Sequence, residues 1–153
     1  MKDKTIDYVL RTTWLAVTKM YNEEASKFES TMATGFALLS IDPEKGTPST
    51  SLGPKMGMEA TSLSRTLKSM EEKGLIERKP NPEDGRGVLI HLTEFGREKR
   101  ALSREKVLTF NETIRNQVSD DKIKHFYEVA ELINNLISNK KIYNQNETSV
   151  SKQ

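Results

Sequence analysis

Ala60-Thr61-Ser62-Leu63-Ser64-Arg65-Thr66-Leu67-Lys68-Ser69-Met70-Glu71-Glu72-Lys73-Gly74-Leu75-Ile76 is the stretch on which the fold turns. Leu63, Leu67 and Met70 recur at steps of four and three, the spacing of one helix face. Gly74 then reads as a C-terminal cap, because glycine alone enters the left-handed conformation without a Cβ penalty. The helix therefore has an apolar side to bury. Its early residues on the other sides are small, polar or basic.

Working outward, Gly57 marks a tight turn before this helix, and Ser49 to Met56 is a compact polar segment before the turn. Gly53-Pro54 is a poor helix interior, so any helix here is expected to be short or to begin at Pro54. Further upstream, Thr34 to Ser40 reads as a short helix ended by the turn-rich run Asp42 to Pro48. Downstream, Leu75-Ile76-Glu77-Arg78 and Val88-Leu89-Ile90-His91-Leu92 are short and aliphatic. Pro80-Asn81-Pro82-Glu83-Asp84-Gly85-Arg86-Gly87 between them forms turns. Together they predict a β-hairpin with an exposed polar tip.

Both ends of the chain read as long helices. Ile6, Leu10, Trp14, Val17, Tyr21 and Phe28 form a stripe, and neither Pro nor Gly interrupts residues 3–34. At ~1.5 Å per residue such a helix approaches roughly 40 Å, so its partners must lie along its length, in part on another subunit. Thr93 can cap a helix that carries Leu102, Val107, Phe110, Ile114 and Val118. Ser119-Asp120-Asp121 is a second cap with an acidic first turn. The last helix carries Ile123, Phe126, Ala130, Ile133 and Ile137, a seam that can pack along another helix. From Asn139 the sequence is polar and predicts a disordered tail over 139–153.

Charge is uneven along the chain. Pro48 to Lys106 holds 12 Lys or Arg against 9 Asp or Glu, whereas the remainder holds 12 against 13. A basic middle suits a phosphate-binding face, and surface scatter would give the same counts. With no cysteine, disulfides, thiolate metal sites and cysteine redox sensing are excluded. The charged start is no signal peptide, and no run reaches the ~18 apolar residues of a membrane span. The expectation is a cytoplasmic chain with no membrane association. The two histidines, His91 and His125, have no second ligand at metal spacing. Neither a Walker-type glycine loop nor a Gly-x-Ser-x-Gly elbow is present. Glu71-Glu72 and Asp120-Asp121 are helix neighbours that point to different faces. No enzyme and no cofactor is expected.

What remains is the order short helix, turn, helix, glycine stop, strand, basic turn, strand. A helix fits the DNA major groove, and small polar residues at its start can reach base edges and phosphates. Thr61, Ser62, Ser64, Arg65 and Lys68 are the candidates on the helix, with Lys79 and Arg86 on the hairpin. Thr61-Ser62 would equally serve as a plain helix start.

These residues resemble the MarR-type repressors. The resemblance is carried by Ser62-Leu63-Ser64-Arg65-Thr66-Leu67, by Met70-Glu71-Glu72-Lys73-Gly74-Leu75-Ile76-Glu77-Arg78, by Asn81-Pro82-Glu83-Asp84-Gly85-Arg86 and by Leu92-Thr93-Glu94-Phe95-Gly96. It implies a mainly α fold of six helices with a small antiparallel β wing, forming one unit over 1–138. The winged helix-turn-helix would span about 34–92, and dimerisation helices about 3–30 and 94–138. The recognition helix would be Glu59 to Lys73. Arg86 would be the wing arginine, and Asp84 would shape the wing by pairing with a basic residue. The resemblance further implies a homodimer on a pseudo-palindromic operator in double-stranded DNA, acting as a repressor released by a small lipophilic or aromatic effector. Trp14, Met20, Tyr21, Phe28 and Phe36 would line the effector pocket, and the same five residues would serve as ordinary core. The alternative is an architectural factor that uses the winged fold for protein contacts and binds DNA weakly.

Overall fold

The structure is a computed structural model that describes residues 4–144. It forms two compact units, one ending at Lys106 and the other starting at Val107.

The first unit opens with α1 (Ile6–Ser26), capped by the Thr5 hydroxyl, which accepts from the Tyr8 N–H. The helix stops short of the expected residue 30. Glu29 turns into the left-handed region at φ 56, and the Ser30 N–H closes back on the Ala25 carbonyl at 3.0 Å. A left-handed residue with such a long backward bond is how helices commonly end, and here it needs no glycine. α2 (Met32–Ser40) follows, two residues longer at its start than expected. The Thr31 hydroxyl caps it, accepting from Thr34 N–H and donating to the buried Thr34 hydroxyl.

The turn-rich run after α2 hides a strand. Asp42 Oδ1 accepts from the backbone N–H groups of Glu44 and Lys45, and the Thr47 hydroxyl accepts from Asp42 N–H. This tightly bonded loop delivers β1 (Thr47–Pro48) to the sheet. Proline within a turn run signals a loop, yet at a sheet edge its missing N–H costs no ladder bond. Residue types alone therefore do not announce the strand.

α3 (Ser49–Met56) begins at once, so of the two expectations the short helix holds and a start at Pro54 does not. Leu52 and Gly53 are buried in it. A Cβ at Gly53 would lie 3.3 Å from the Met58 carbonyl, so glycine permits the close turn into the next helix. Pro54 leaves the Thr50 carbonyl without a helical donor, but Thr50 is exposed to water. Gly57, at φ 61, caps the helix, and Met58 N–H returns to Gly53 O.

α4 (Ala60–Glu72) buries Leu63, Leu67 and Met70. Gly74 takes φ 72, as expected of the cap, and Leu75 N–H bonds Met70 O. β2 (Ile76–Asn81) and β3 (Asp84–Leu92) then pair antiparallel, and β1 adds to the far side of β3, giving the order β1-β3-β2. Both hairpin strands run longer than expected. The register slips between Pro80, opposite Val88, and Asn81, opposite Asp84. Gly85, Arg86 and Gly87 therefore bulge out of the ladder.

One core holds this unit together. Ala37, Leu38 and Ile41 from the α2 region meet Leu52, Leu63, Leu67, Met70, Leu75, Ile76, Ile90 and Leu92. Full burial of each large member is worth about 1.5–3 kcal/mol. The core lies directly behind α4 and fixes which side of it faces out. α5 (Glu94–Gln117) starts from Thr93, whose hydroxyl accepts from Gly96 N–H as the predicted cap.

The second unit contains the end of α5 and α6 (Asp120–Ser138), capped by Ser119. Arg115 donates to the Tyr127 hydroxyl at 3.1 Å. α6 ends where expected, and Asn139 to Asn144 continue in turns. The remainder of the expected disordered tail, 145–153, lies outside the described residues.

Candidate nucleic-acid interface

The three buried residues of α4 determine its outward side by geometry alone. At 3.6 residues per turn, Thr61, Arg65 and Lys68 fall opposite Leu63, Leu67 and Met70, and Ser62 and Ser64 flank them on either side. All five are exposed. The first residues of α4 thus present hydroxyls, and the following turn presents two cations. Arg65 and Lys68 enter no ion pair among the described residues. A planar guanidinium with five donors can bind a guanine edge or a phosphate with two bonds at once.

On the hairpin, Lys79 and Arg86 are also exposed. Lys79 Nζ lies 3.8 Å from Glu77 Oε2. An exposed pair of this kind is worth at most about 1 kcal/mol, so a phosphate could displace it. Arg86 stands in the bulge that follows the turn. Asp84 supports that bulge differently from the expectation. Its Oδ1 accepts from the Arg86 backbone N–H at 3.1 Å, rather than pairing with a basic side chain. A Cβ at Gly87 would lie 3.1 Å from the other carboxylate oxygen, so the bulge folds closely around Asp84.

Sequence reasoning missed one contact that joins the helix to the wing. Arg78 Nε on β2 donates to Glu71 Oε2 at the end of α4, at 3.2 Å. Seven residues and a reversal of direction separate the two, so no helical or strand spacing could announce the pair.

The five proposed pocket residues do not form buried core. Tyr21 and Phe36 pack edge to face with centroids 5.6 Å apart, and burial raises the Tyr21 hydroxyl pKa. Met20 is partly buried. Phe28 lies beneath the Lys106 ammonium, 5.5 Å from the ring centre, while Lys106 also pairs with Glu24. Contacts with Lys27 and Lys106 hold the Glu24 carboxyl below its usual range. Trp14 is 53 % exposed on α1. Among the described residues, no group of three His, Asp or Glu side chains could hold a metal ion, and no helix is long and apolar enough to cross a membrane.

The MarR family model matches residues 31–88, which contain α2, the helix-turn-helix and most of the wing. The organic hydroperoxide resistance transcriptional regulator of Bacillus subtilis is 36% identical over 98 residues, 64% of this chain and 64% of its own length. The uncharacterized HTH-type transcriptional regulator YdgJ of the same organism is 31% identical over 88 residues, 58% of this chain and 54% of its own length. The chain thus spans between about half and two thirds of the length of these curated relatives. In fold, the Staphylococcus aureus MepR–DNA complex matches 88% of this chain and 99% of its own, at 18% identity and a TM-score of 0.78.

Proposed function

Because this chain carries a MarR-type winged helix-turn-helix, we propose that it is a sequence-specific, double-stranded DNA-binding transcriptional regulator. The observation that carries the reading is the division of α4. Leu63, Leu67 and Met70 are locked into the core, and Thr61, Ser62, Ser64, Arg65 and Lys68 all face solvent. A helix held so rigidly from behind can present hydroxyls and a guanidinium to base edges, while the wing cations Lys79 and Arg86 contact phosphates or an adjacent minor groove.

The working form is a homodimer. Along one side of α1, Ile6 is 67 % and Trp14 53 % exposed, and along one side of α6 Phe126 and Ile137 are each at least 60 % exposed. Apolar stripes of this length on a single chain are partner surfaces. Two copies related by a two-fold axis would set two α4 helices about 34 Å apart on a pseudo-palindromic operator. Regulation is repression relieved by a small lipophilic or aromatic effector. The aromatic pair Tyr21–Phe36, with Met20, Phe28 and Trp14 along the same helix region, supports that part. The effector would act only through its preference for a dimer whose two α4 helices do not match the operator spacing.

The test is a titration of the protein onto a fluorescent duplex carrying the region upstream of its gene, beside a scrambled duplex, at two salt concentrations. Preference for the upstream duplex at both salts is the expected result. Equal, weak and strongly salt-dependent binding to both would reduce the site to nonspecific phosphate attraction.

A further inference from the structure

Two of the sequence runs singled out above, Gly74-Leu75 and Leu92-Thr93-Glu94-Phe95-Gly96, have no part in DNA contact, yet the fold brings them together. Thr93 Oγ1 donates to the Gly74 carbonyl at 2.6 Å and accepts from the Gly96 N–H at 2.9 Å. The Thr93 N–H donates to the Leu75 carbonyl at 3.1 Å. A methyl group at Gly96 would fall on that same Leu75 carbonyl, so the backbone leaving α4 touches the backbone entering α5. Leu75 and Leu92 are buried on either side of the junction.

A hydroxyl has one hydrogen to give and lone pairs to receive with. An N-cap needs only the receiving half. Here the hydrogen is spent on a carbonyl from another element, the residue that terminates α4. We infer that Thr93 is a positioning residue whose hydroxyl fixes the direction of α4 against α5. This rests on α4 being the DNA-reading helix. Base readout tolerates little angular freedom, because a contact shell left about 1 Å loose loses its function.

Three substitutions separate positioning from capping. Thr93→Ser keeps both bonds, Thr93→Asp keeps the cap but cannot donate when ionised, and Thr93→Val loses both. Since the chain has no cysteine, Glu72→Cys on α4 and Glu98→Cys on α5, both at exposed positions, can carry nitroxide labels. Pulsed electron spin resonance on full-length protein, diluted with unlabelled chain, then reads the α4–α5 distance without DNA. The parental and Thr93→Ser proteins should share one narrow distribution. The Thr93→Asp and Thr93→Val proteins should give a broadened or displaced one with the helical circular dichroism intact. In unlabelled forms of those two variants, the ratio of operator to scrambled-duplex affinity should fall about tenfold, with the scrambled affinity unchanged. A Thr93→Asp protein with the parental distance distribution would overturn the inference and leave Thr93 a plain cap. If the parental protein showed no preference between duplexes, the DNA reading would fail, and the distances alone would decide the positioning role.

Discussion

Arg65 and Arg86 are both exposed cations, but they stand on different supports. Arg65 rises from a helix whose far side is buried, so its guanidinium is presented from a rigid base. Arg86 stands in a bulge held by Asp84 through its own backbone N–H. The first suits reading a base edge and the second a phosphate. Arg65→Ala should therefore cost about 1–3 kcal/mol at particular base pairs and relax preference there. Arg86→Ala should weaken all duplexes alike and flatten the salt dependence by about one ion. Titrations against duplexes mutated one base pair at a time, repeated over a salt series, distinguish the two. The Arg65 assignment follows from periodicity, and both apolar and polar sides of α4 were legible in the sequence. The Asp84 partner was not, because a carboxylate bonding a backbone N–H two residues on depends on the path of the bulge rather than on residue types.

Among the elements, α4 is held by its core face. Leu67 is 3 % exposed, and Leu67→Ala should cost about 2–5 kcal/mol, measured by urea unfolding followed by circular dichroism. The loop before β1 gives a prediction in pH. The Lys45 and Glu44 N–H groups hold the Asp42 carboxyl below its usual pKa. A depressed folded-state pKa adds stability that is present above the unfolded-state value and lost as pH falls through the folded one. Asp42→Ala should thus lower the thermal midpoint at pH 7, and the gap to the parent should narrow below about pH 4. A gap that stayed constant with pH would mean the carboxylate charge has no part in the loop. Helices with strong stripes or clear caps were legible: α4, α5 and α6 begin and end close to the expected residues. β1 was not, since Pro48 is locally a poor choice for a strand. α3 was legible as a short helix over Ser49 to Met56 but with its start left open, since Gly53-Pro54 is locally a poor choice for a helix. Tertiary packing overrides both preferences, through Thr47 bonding Asp42 and through Gly53 admitting the Met58 carbonyl. The end of α1 was misplaced for the opposite reason. Glu29 adopts a left-handed conformation that a glutamate seldom takes, so no residue type signals the stop.

For the molecule as a whole, the apolar stripes on α1 and α6 need a partner. Light scattering on a sizing column should give twice the chain mass. Phe126→Asp should shift the protein toward the single-chain mass and weaken operator binding with it, because two half-sites bound together are what make the affinity. A wild-type protein that remained a single chain at micromolar concentration would exclude the two-fold arrangement. The long terminal helices were readable from their stripes, but what covers them is a property of the assembly and lies outside any one chain.

Whether two α4 helices read DNA sequence together can be asked of the protein itself, by selecting bound duplexes from a fully randomised pool and sequencing them. The expected enrichment is a pseudo-palindromic motif with half-site centres about 10 base pairs apart, whose information content drops at defined positions when Arg65→Ala protein is used. Recovery of an unenriched pool, or of a motif without two-fold symmetry, would contradict joint readout by the two helices, and a motif unchanged by Arg65→Ala would contradict base reading by Arg65.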